Sequence, residues 1–292
     1  MINFKKIKPY IYIFPAGLSI VFIYFYSIIY LLRGSFYNYA NLEQKFIGIR
    51  NYINLFKDYL FWESLLHNLI IIIVAVPVLI FLSIIFSVFI YEKIKGWKIY
   101  RVIIFIPYIL SITVVGVVFS YIFTYRGLLN SILETLNMKY FMLDWLGSRN
   151  IAIFTVIFVI IWKELGFGVI LLYSRLISIP EEIYEAAKID GVSWYQNLLY
   201  ITLPQLKKII EFYATLLVIT FLSWVFNYIY VMTGGGPGTS TNVVEYYIYN
   251  RAFRYNNLGF AYSASVILFI ITIIFVFIKF NLTSRRKEKN EF

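Results

Sequence analysis

Six stretches of mostly apolar residues, each about 20 residues long, restrict the fold of this 292-residue chain more than any other feature. Each is long enough to cross the hydrocarbon core of a bilayer as an α-helix. A soluble fold cannot bury a chain that is 61% hydrophobic, because soluble domains are only about 45–50% apolar. We therefore predict an all-α integral membrane protein with six transmembrane helices, forming one transmembrane domain over 1–292. The predicted spans are 10–32, 69–91, 102–125, 151–174, 209–232 and 259–280.

Prolines occur within the first three predicted spans, at Pro15, Pro77 and Pro107. Membrane helices tolerate proline because neighbouring helices and waters satisfy the freed carbonyl. We expect kinks at these positions and not helix ends.

The distribution of basic residues predicts the orientation in the membrane. With the N-terminus in the cytoplasm, 16 of the 26 Lys and Arg residues fall on the cytoplasmic side, and the loop 92–101 and the C-terminal tail contribute strongly. Short cytoplasmic segments are enriched in basic residues in this way. The sequence thus predicts a multi-pass protein of a bacterial or archaeal cell membrane, in contact with membrane lipid and with both termini in the cytoplasm.

Several classes of function lack the residues that they need. The chain has no Cys and one His, which leaves no thiolate or His-cluster metal site. The net charge of +11 is explained by membrane topology and does not indicate a nucleic-acid partner. The glycine-rich segment 234–238 lacks the Gly-Lys-Ser/Thr ending of a phosphate-binding loop. We expect no catalytic residues, no metal and no cofactor on this chain.

The loop 179–208, between the fourth and fifth spans, has the local chemistry of a helical hairpin. Pro180 suits the first turn of a helix, and the two glutamates after it favour the positive end of the helix dipole. Gly191 is suited to a left-handed helix stop. Ser193 can cap a second short helix, which we expect Pro204 to end. On these residues alone, the hairpin 179–204 is an amphipathic element on the cytoplasmic surface that anchors the bundle.

The order of residues in this hairpin adds a resemblance to a known family. It resembles the EAA motif of binding-protein-dependent ABC importer permeases, in which the hairpin is the coupling helix that docks into a groove on an ATPase subunit. The resemblance implies an ATPase-coupling role for the residues that match the motif. These are Glu185, Ala186, Ala187, Asp190, Gly191, Leu203 and Pro204.

Further segments are similar to the carbohydrate-importer branch, the maltose and glycerol-phosphate permease type. They are 48–52 (GIRNY), 232–241 (MTGGGPGTST) and 259–264 (GFAYSA). The resemblance covers essentially the whole chain and implies the type I ABC importer permease (MetI-like) fold. It also implies a heterodimer with a second permease subunit, two ATP-binding subunits that hold ATP and Mg, an extracellular substrate-binding protein and a carbohydrate substrate.

Polar and aromatic residues within two spans are candidates for the substrate path. Lys163 and Glu164 lie near the middle of the fourth span, where an isolated charge costs about 2.5–3.5 kcal/mol, so both should face the bundle or water. A buried pair in contact with the partner permease is an equally good interpretation. In the fifth span, polar and aromatic residues recur at helical spacing, although subunit packing explains any one of them equally well. The candidate path residues are Lys163, Glu164, Phe167, Thr220, Phe221, Trp224 and Asn227.

Two other functions stay open from the sequence. An ABC permease for glycerol phosphate or another small solute would call for basic lining, which Lys163 could supply. A self-sufficient secondary transporter would need an internal inverted repeat and paired ionisable groups at the midplane, and of these only the Lys163–Glu164 pair is found.

Overall fold

The computed structural model describes residues 4–39 and 44–289, and this part of the chain is mostly helical. A short hairpin of two antiparallel strands pairs Tyr37 with Phe46. The strands are β1 (Tyr37–Asn38) and β2 (Lys45–Phe46), and the α-helices are α1 (Phe4–Ile20), α2 (Tyr26–Gly34), α3 (Arg50–Lys57), α4 (Tyr59–Tyr91), α5 (Trp97–Ile109), α6 (Ile112–Phe123), α7 (Leu128–Thr135), α8 (Ala152–Leu176), α9 (Glu181–Ile189), α10 (Trp194–Gln196), α11 (Leu203–Phe221), α12 (Phe226–Met232), α13 (Val244–Tyr249) and α14 (Leu258–Lys289).

The chain divides into two compact units, and the first comprises Met1–Trp62 and Tyr247–Ile274. In this unit the buried Asn51 side chain donates hydrogen bonds to the carbonyl oxygens of Ser35 and Tyr37, at 2.8 and 3.0 Å. The start of α14 packs so closely on β1 that a Cβ on Gly259 would lie 2.0 Å from the Tyr37 oxygen.

The second unit comprises Glu63–Tyr246 and Phe275–Phe292, and it contains the two candidate sites. Small residues set its helix contacts. A Cβ on Gly166 of α8 would lie 2.7 Å from the Ile104 oxygen of α5, and one on Gly116 of α6 would lie 2.8 Å from a methyl group of Val231 on α12. The backbones therefore approach closely, as is usual for membrane helices.

Five helical segments in the described residues are long and apolar enough to cross a membrane, and a bent helix pair, Trp194–Phe221 with Phe226–Met232, adds a sixth. The all-helical membrane fold predicted from the sequence is thereby confirmed. The second span begins ten residues earlier than predicted, at Tyr59, and continues through Pro77 to Tyr91.

Two predicted spans are interrupted in the structure. In the span 102–125, α5 ends at Ile109, and Leu110 and Ser111 adopt extended backbone before α6 begins. In the span 209–232, α11 ends at Phe221 and α12 begins at Phe226, with a bend of 50° between them. Pro107 lies inside α5, so the proline comes shortly before a helix end and not at a kink in a continuous span.

The second helix of the hairpin 179–204 does not end at Pro204, contrary to the prediction. Helical structure continues from Trp194 through a π-helical segment, Asn197–Thr202, into α11. Pro204 occupies the first turn of α11, where a missing N–H is tolerated. The π-helical segment changes the hydrogen-bond register ahead of the proline, so the helix does not need that N–H.

Candidate functional site: a helical hairpin and a polar cluster within the spans

The first helix of the hairpin, α9, ends in the way its sequence predicts. Gly191 has φ +69°, the left-handed conformation that glycine adopts without strain. The N–H of Gly191 donates to the Lys188 oxygen at 3.1 Å, and that of Val192 donates to the Ala187 oxygen at 3.0 Å. This pair of bonds is the Schellman arrangement, which satisfies the last carbonyls of the helix and reverses the chain.

The second helix of the hairpin starts with a reciprocal cap. The Gln196 backbone N–H donates to the Ser193 hydroxyl at 3.4 Å, and the Ser193 N–H donates to the Gln196 side-chain oxygen at 2.9 Å. Two amide groups without helical partners are satisfied in this way. The capping role predicted for Ser193 is therefore observed.

One face of α9 is fixed to the membrane bundle. Ala187 is buried, and Ile183 and Tyr184 pack against a cluster formed at the end of α4, the end of α8 and the start of α11. The Tyr184 ring also contacts the Tyr91 ring of α4, at a centroid distance of 5.7 Å. The first helix of the hairpin therefore packs directly against the ends of three long helices. The cluster consists of Val88, Leu176, Ile179 and Leu206.

The opposite face of α9 is exposed. Glu185, Ala186 and Asp190 lie on it, and a Cβ on the exposed Gly191 would meet no atom within 4 Å. Ile189 is 86% exposed on the same face, and the sequence analysis did not single it out. Ile189 could have been identified from the sequence, because an apolar residue next to Asp190 interrupts the polar pattern of that face.

The last two residues of the motif lie away from this face. Leu203 is half-buried and Pro204 is exposed, and both belong to the start of α11. The structure therefore assigns five of the seven predicted coupling residues to the turn and the helix before it. It assigns the other two to the helix that leaves the hairpin.

Polar contacts hold the hairpin to its neighbours. The Trp194 indole N–H donates to the Glu92 carboxylate at the end of α4. The Arg175 guanidinium, in the last turn of α8, donates to the side chain of Gln205 at 3.3 Å. A cavity of about 760 Å³ lies between the hairpin and the ends of α4 and α8, and Glu185 contributes to its lining.

The second candidate site surrounds Lys163 and Glu164 in the middle of α8. The Lys163 side chain is 6% exposed, and its Nζ donates to the Tyr108 backbone oxygen at 3.2 Å. Its Nζ also lies 3.7 Å from Glu164 Oε1 and 5.3 Å from the centre of the Tyr108 ring. The Tyr228 hydroxyl of α12 donates to Glu164 Oε1 at 2.8 Å. The two charged groups are thus paired and hydrogen-bonded, as buried charges must be.

Aromatic rings extend this cluster along α8. The Phe167 ring stacks on the Tyr108 ring at 5.4 Å and contacts the Tyr213 ring at 6.0 Å. The sequence analysis proposed Phe167 but none of the three tyrosines, Tyr108, Tyr213 and Tyr228. In a chain with 27 Tyr and 28 Phe residues, nothing in the composition marks these three.

The fifth-span candidates do not share one continuous helix. Thr220 and Phe221 are in the last turn of α11, Trp224 is in the break, and Asn227 is in α12. Phe221 is buried, Thr220 and Asn227 are half-buried, and Trp224 is 60% exposed. The helical spacing seen in the sequence therefore does not produce a single helical face.

A buried asparagine organises the break between α11 and α12. Asn68 Nδ2 donates to the Phe221 oxygen and to Glu245 Oε2, both at 3.0 Å, and Asn68 Oδ1 accepts from the Val244 N–H at 2.8 Å. Burial raises the pKa of Glu245, in the first turn of α13, to about 6, and the Asn68 amide partly opposes that rise. Within the described residues, no three His, Asp or Glu side chains converge as metal ligands.

The family model described as "Binding-protein-dependent transport system inner membrane component" matches residues 59–288, and the chain belongs to this family of multi-pass membrane permeases. It is 31% identical to the "Probable ABC transporter permease protein YurN" of Bacillus subtilis, over 99% of this chain and 100% of that protein. It is 33% identical to the "Multiple sugar-binding transport system permease protein MsmF" of Streptococcus mutans, over 94% and 93% of the two chains.

A solved structure shares the fold. It is the crystal structure of a bacterial alginate ABC transporter in complex with an alginate pentasaccharide-bound periplasmic protein. The match covers 97% of both chains with a TM-score of 0.84 and 22% identity. The predicted importer permease fold is confirmed.

Proposed function

We propose that the chain is a membrane subunit of an ATP-driven importer of sugars or oligosaccharides, and that it forms half of the translocation path. A second, related permease would form the other half, and a binding protein on the outer side would deliver the solute. Two facts support the substrate class: a similar permease belongs to a multiple sugar-binding transport system, and the solved structure of the same fold belongs to an alginate transporter.

The observation that carries the proposal is the contrast between the two faces of α9: one is packed against the membrane helices and the other is exposed. Its inner face is fixed to the ends of α4, α8 and α11, while its outer face has Glu185, Ile189 and Asp190 available to a partner. ATP and Mg would bind to two partner ATPase subunits on the cytoplasmic side, where both termini of this chain would also lie. Closure of those subunits would displace α9, and the membrane helices would switch between two discrete packings.

The solute would pass the polar and aromatic cluster within the spans. Sugars bind to aromatic faces together with hydrogen-bonding side chains, and both kinds of group are present. The exposed indole of Trp224 and the half-buried amide of Asn227 are at and just after the break in the fifth span. Irregular backbone at membrane depth is tolerated where it is buried in protein or lines a water-filled cavity, which makes this break a suitable boundary of the path.

The buried ammonium does not favour an anionic solute such as glycerol phosphate. Lys163 is neutralised by Glu164 and hydrogen-bonded to the Tyr108 oxygen, so it is not available as a free positive charge. The pair is also more simply explained by helix contacts than by the proton or ion relay of a secondary transporter.

The proposal is tested by purification of the tagged full chain from its native membrane in mild detergent. We expect it to copurify with a second permease and with ATP-binding subunits. Glu185→Lys reverses the charge of the exposed face of α9 and should abolish both ATPase association and sugar uptake while leaving membrane insertion normal. The matched control is Glu134→Lys, which reverses an exposed carboxylate on α7, loses only an exposed ion pair with Lys139, and should leave uptake unchanged.

Two results would refute this function. One is normal sugar uptake and ATPase stimulation in Glu185→Lys. The other is transport by the purified chain alone in vesicles, which would indicate a self-sufficient transporter.

A further inference from the structure

The interruptions in the third and fifth spans leave backbone carbonyls that need donors. The last four carbonyls of an α-helix have no intrahelical partner. At the end of α5, the Pro107 oxygen accepts from the Leu110 N–H at 3.3 Å, and the Tyr108 oxygen accepts from Lys163 Nζ. Leu110 continues in extended backbone, so the helix itself supplies no further donor there.

The end of α11 follows the same pattern. The Val218 oxygen accepts from the Leu222 N–H, and the Thr220 oxygen accepts from the Trp224 N–H at 2.8 Å. The Phe221 oxygen accepts from the side chain of Asn68, which lies on α4. Each interrupted span therefore has one last-turn carbonyl satisfied by a buried polar side chain on a continuous helix, α8 in one case and α4 in the other.

Lys163 and Glu164 contact different helices, because adjacent residues of a helix point in different directions. Successive residues on a helix point about 100° apart. Lys163 accordingly contacts α5, before the first break, while Glu164 contacts Tyr228 on α12, after the second. Their mutual distance of 3.7 Å lets each charge neutralise the other.

The positive charge of Lys163 also matches the end of the helix that it contacts. The carboxyl end of an α-helix carries partial negative charge, and a cation there is stabilising. The ammonium lies near the face of the Tyr108 ring as well, which adds a cation–π contact. The Lys163 ammonium therefore has a hydrogen bond, an ion pair and a ring contact within the protein, and it does not need a solute as a partner.

We propose that Lys163 and Glu164 are positioning residues that hold the two interrupted spans on the continuous helix α8, and that they do not bind the transported solute. The part of this proposal that concerns the positions of the helices does not depend on the proposed transport function. The effect on turnover rests on the proposed transport function, because α5 and α12 must keep their places on α8 for the packing to switch as a unit.

Hydrogen–deuterium exchange of the full chain in detergent tests the positional part. Tyr228→Phe removes one hydroxyl and should raise amide exchange in α12 about tenfold, without a change in α5. Lys163→Met should raise exchange in the last turn of α5 by a similar factor, and Lys163→Arg should restore most of the protection. Tyr121→Phe is the matched control, because it removes an exposed hydroxyl from α6 and should change neither segment.

Uptake kinetics of the assembled transporter test the second part. Lys163→Met should lower the maximal rate about tenfold and leave KM within about twofold, as expected for a group that does not bind substrate. A raised KM with an unchanged maximal rate and unchanged exchange would assign Lys163 to the solute and overturn the proposal. A uniform rise in exchange over all helices would also overturn it, because that indicates general destabilisation.

The two proposals fail separately. If the wild-type complex imports no sugar while the exchange pattern is as expected, the proposed function is wrong and the positioning role stands. If sugar import is normal in all the variants and exchange does not change, the positioning role is wrong and the proposed function stands.

Discussion

Replacement of Asn68 by alanine should be among the most destabilising single changes in the second unit. The side chain is fully buried and makes three hydrogen bonds, to the Phe221 oxygen, to Glu245 Oε2 and from the Val244 N–H. Alanine would remove the partner of the Val244 amide and of the Phe221 carbonyl and one of the donors to the Glu245 carboxylate, and each buried group that loses its partner costs about 1–3 kcal/mol. We expect a loss of about 3–5 kcal/mol in the free energy of unfolding.

The loss is measurable as a shift in thermal denaturation of the purified chain, followed by size-exclusion chromatography after heating. For a protein of this size, it corresponds to a decrease of about 10 °C in the midpoint. Asn150→Ala, at an exposed position in a turn, is the matched control and should shift the midpoint by less than about 2 °C. Equal midpoints for Asn68→Ala and the control would show that Asn68 does not hold these elements together.

Two further changes test other features of the structure. Because burial raises the pKa of Glu245 to about 6 from its ordinary 4.5, its contribution to stability is complete below pH 4.5 and is lost as the pH rises through 6, a difference of about 2 kcal/mol. Glu245→Gln should therefore flatten the midpoint-versus-pH curve between pH 4.5 and 7, and curves that stay parallel to the wild type would contradict this. Gly166→Ala would place a Cβ 2.7 Å from the Ile104 oxygen, and thermal denaturation should show a loss of about 1–3 kcal/mol. Gly17→Ala, with no atom within 4 Å, is its control, and an equal effect of both would argue against close packing of α5 on α8.

The helical membrane fold and the helical hairpin 179–204 were predictable because both depend on local chemistry. Hydropathy identifies spans because each requires about 20 consecutive apolar residues. Gly191 and Ser193 act on backbone groups within a few residues of themselves, so their roles follow from sequence alone. The prediction that Pro204 ends the second helix was wrong, because the π-helical segment before it removes the need for its N–H. The sequence carries no clear signal of that segment.

The breaks and the contacts of Lys163 could not be predicted in the same way. The residues around the break at Leu110 and Ser111 are mostly apolar, so a hydropathy window sees no interruption. The partner of Lys163 is a backbone oxygen 55 positions earlier in the chain, and the sequence gives no indication of it. The position of Lys163 and Glu164 within a span showed that both should face the bundle or water, but not that they would contact two different helices.

The uninterrupted helical course from Trp194 to Phe221 has a mechanical consequence. At 1.5 Å per residue, these residues form a rod about 42 Å long that runs from the hairpin to the break in the fifth span. A rod transmits an axial push with little loss of travel, so a stroke of a few ångströms at the hairpin would arrive almost undiminished at its far end. In the proposed transport cycle, the 50° bend beyond Phe221 would be the joint where that stroke becomes a change of angle.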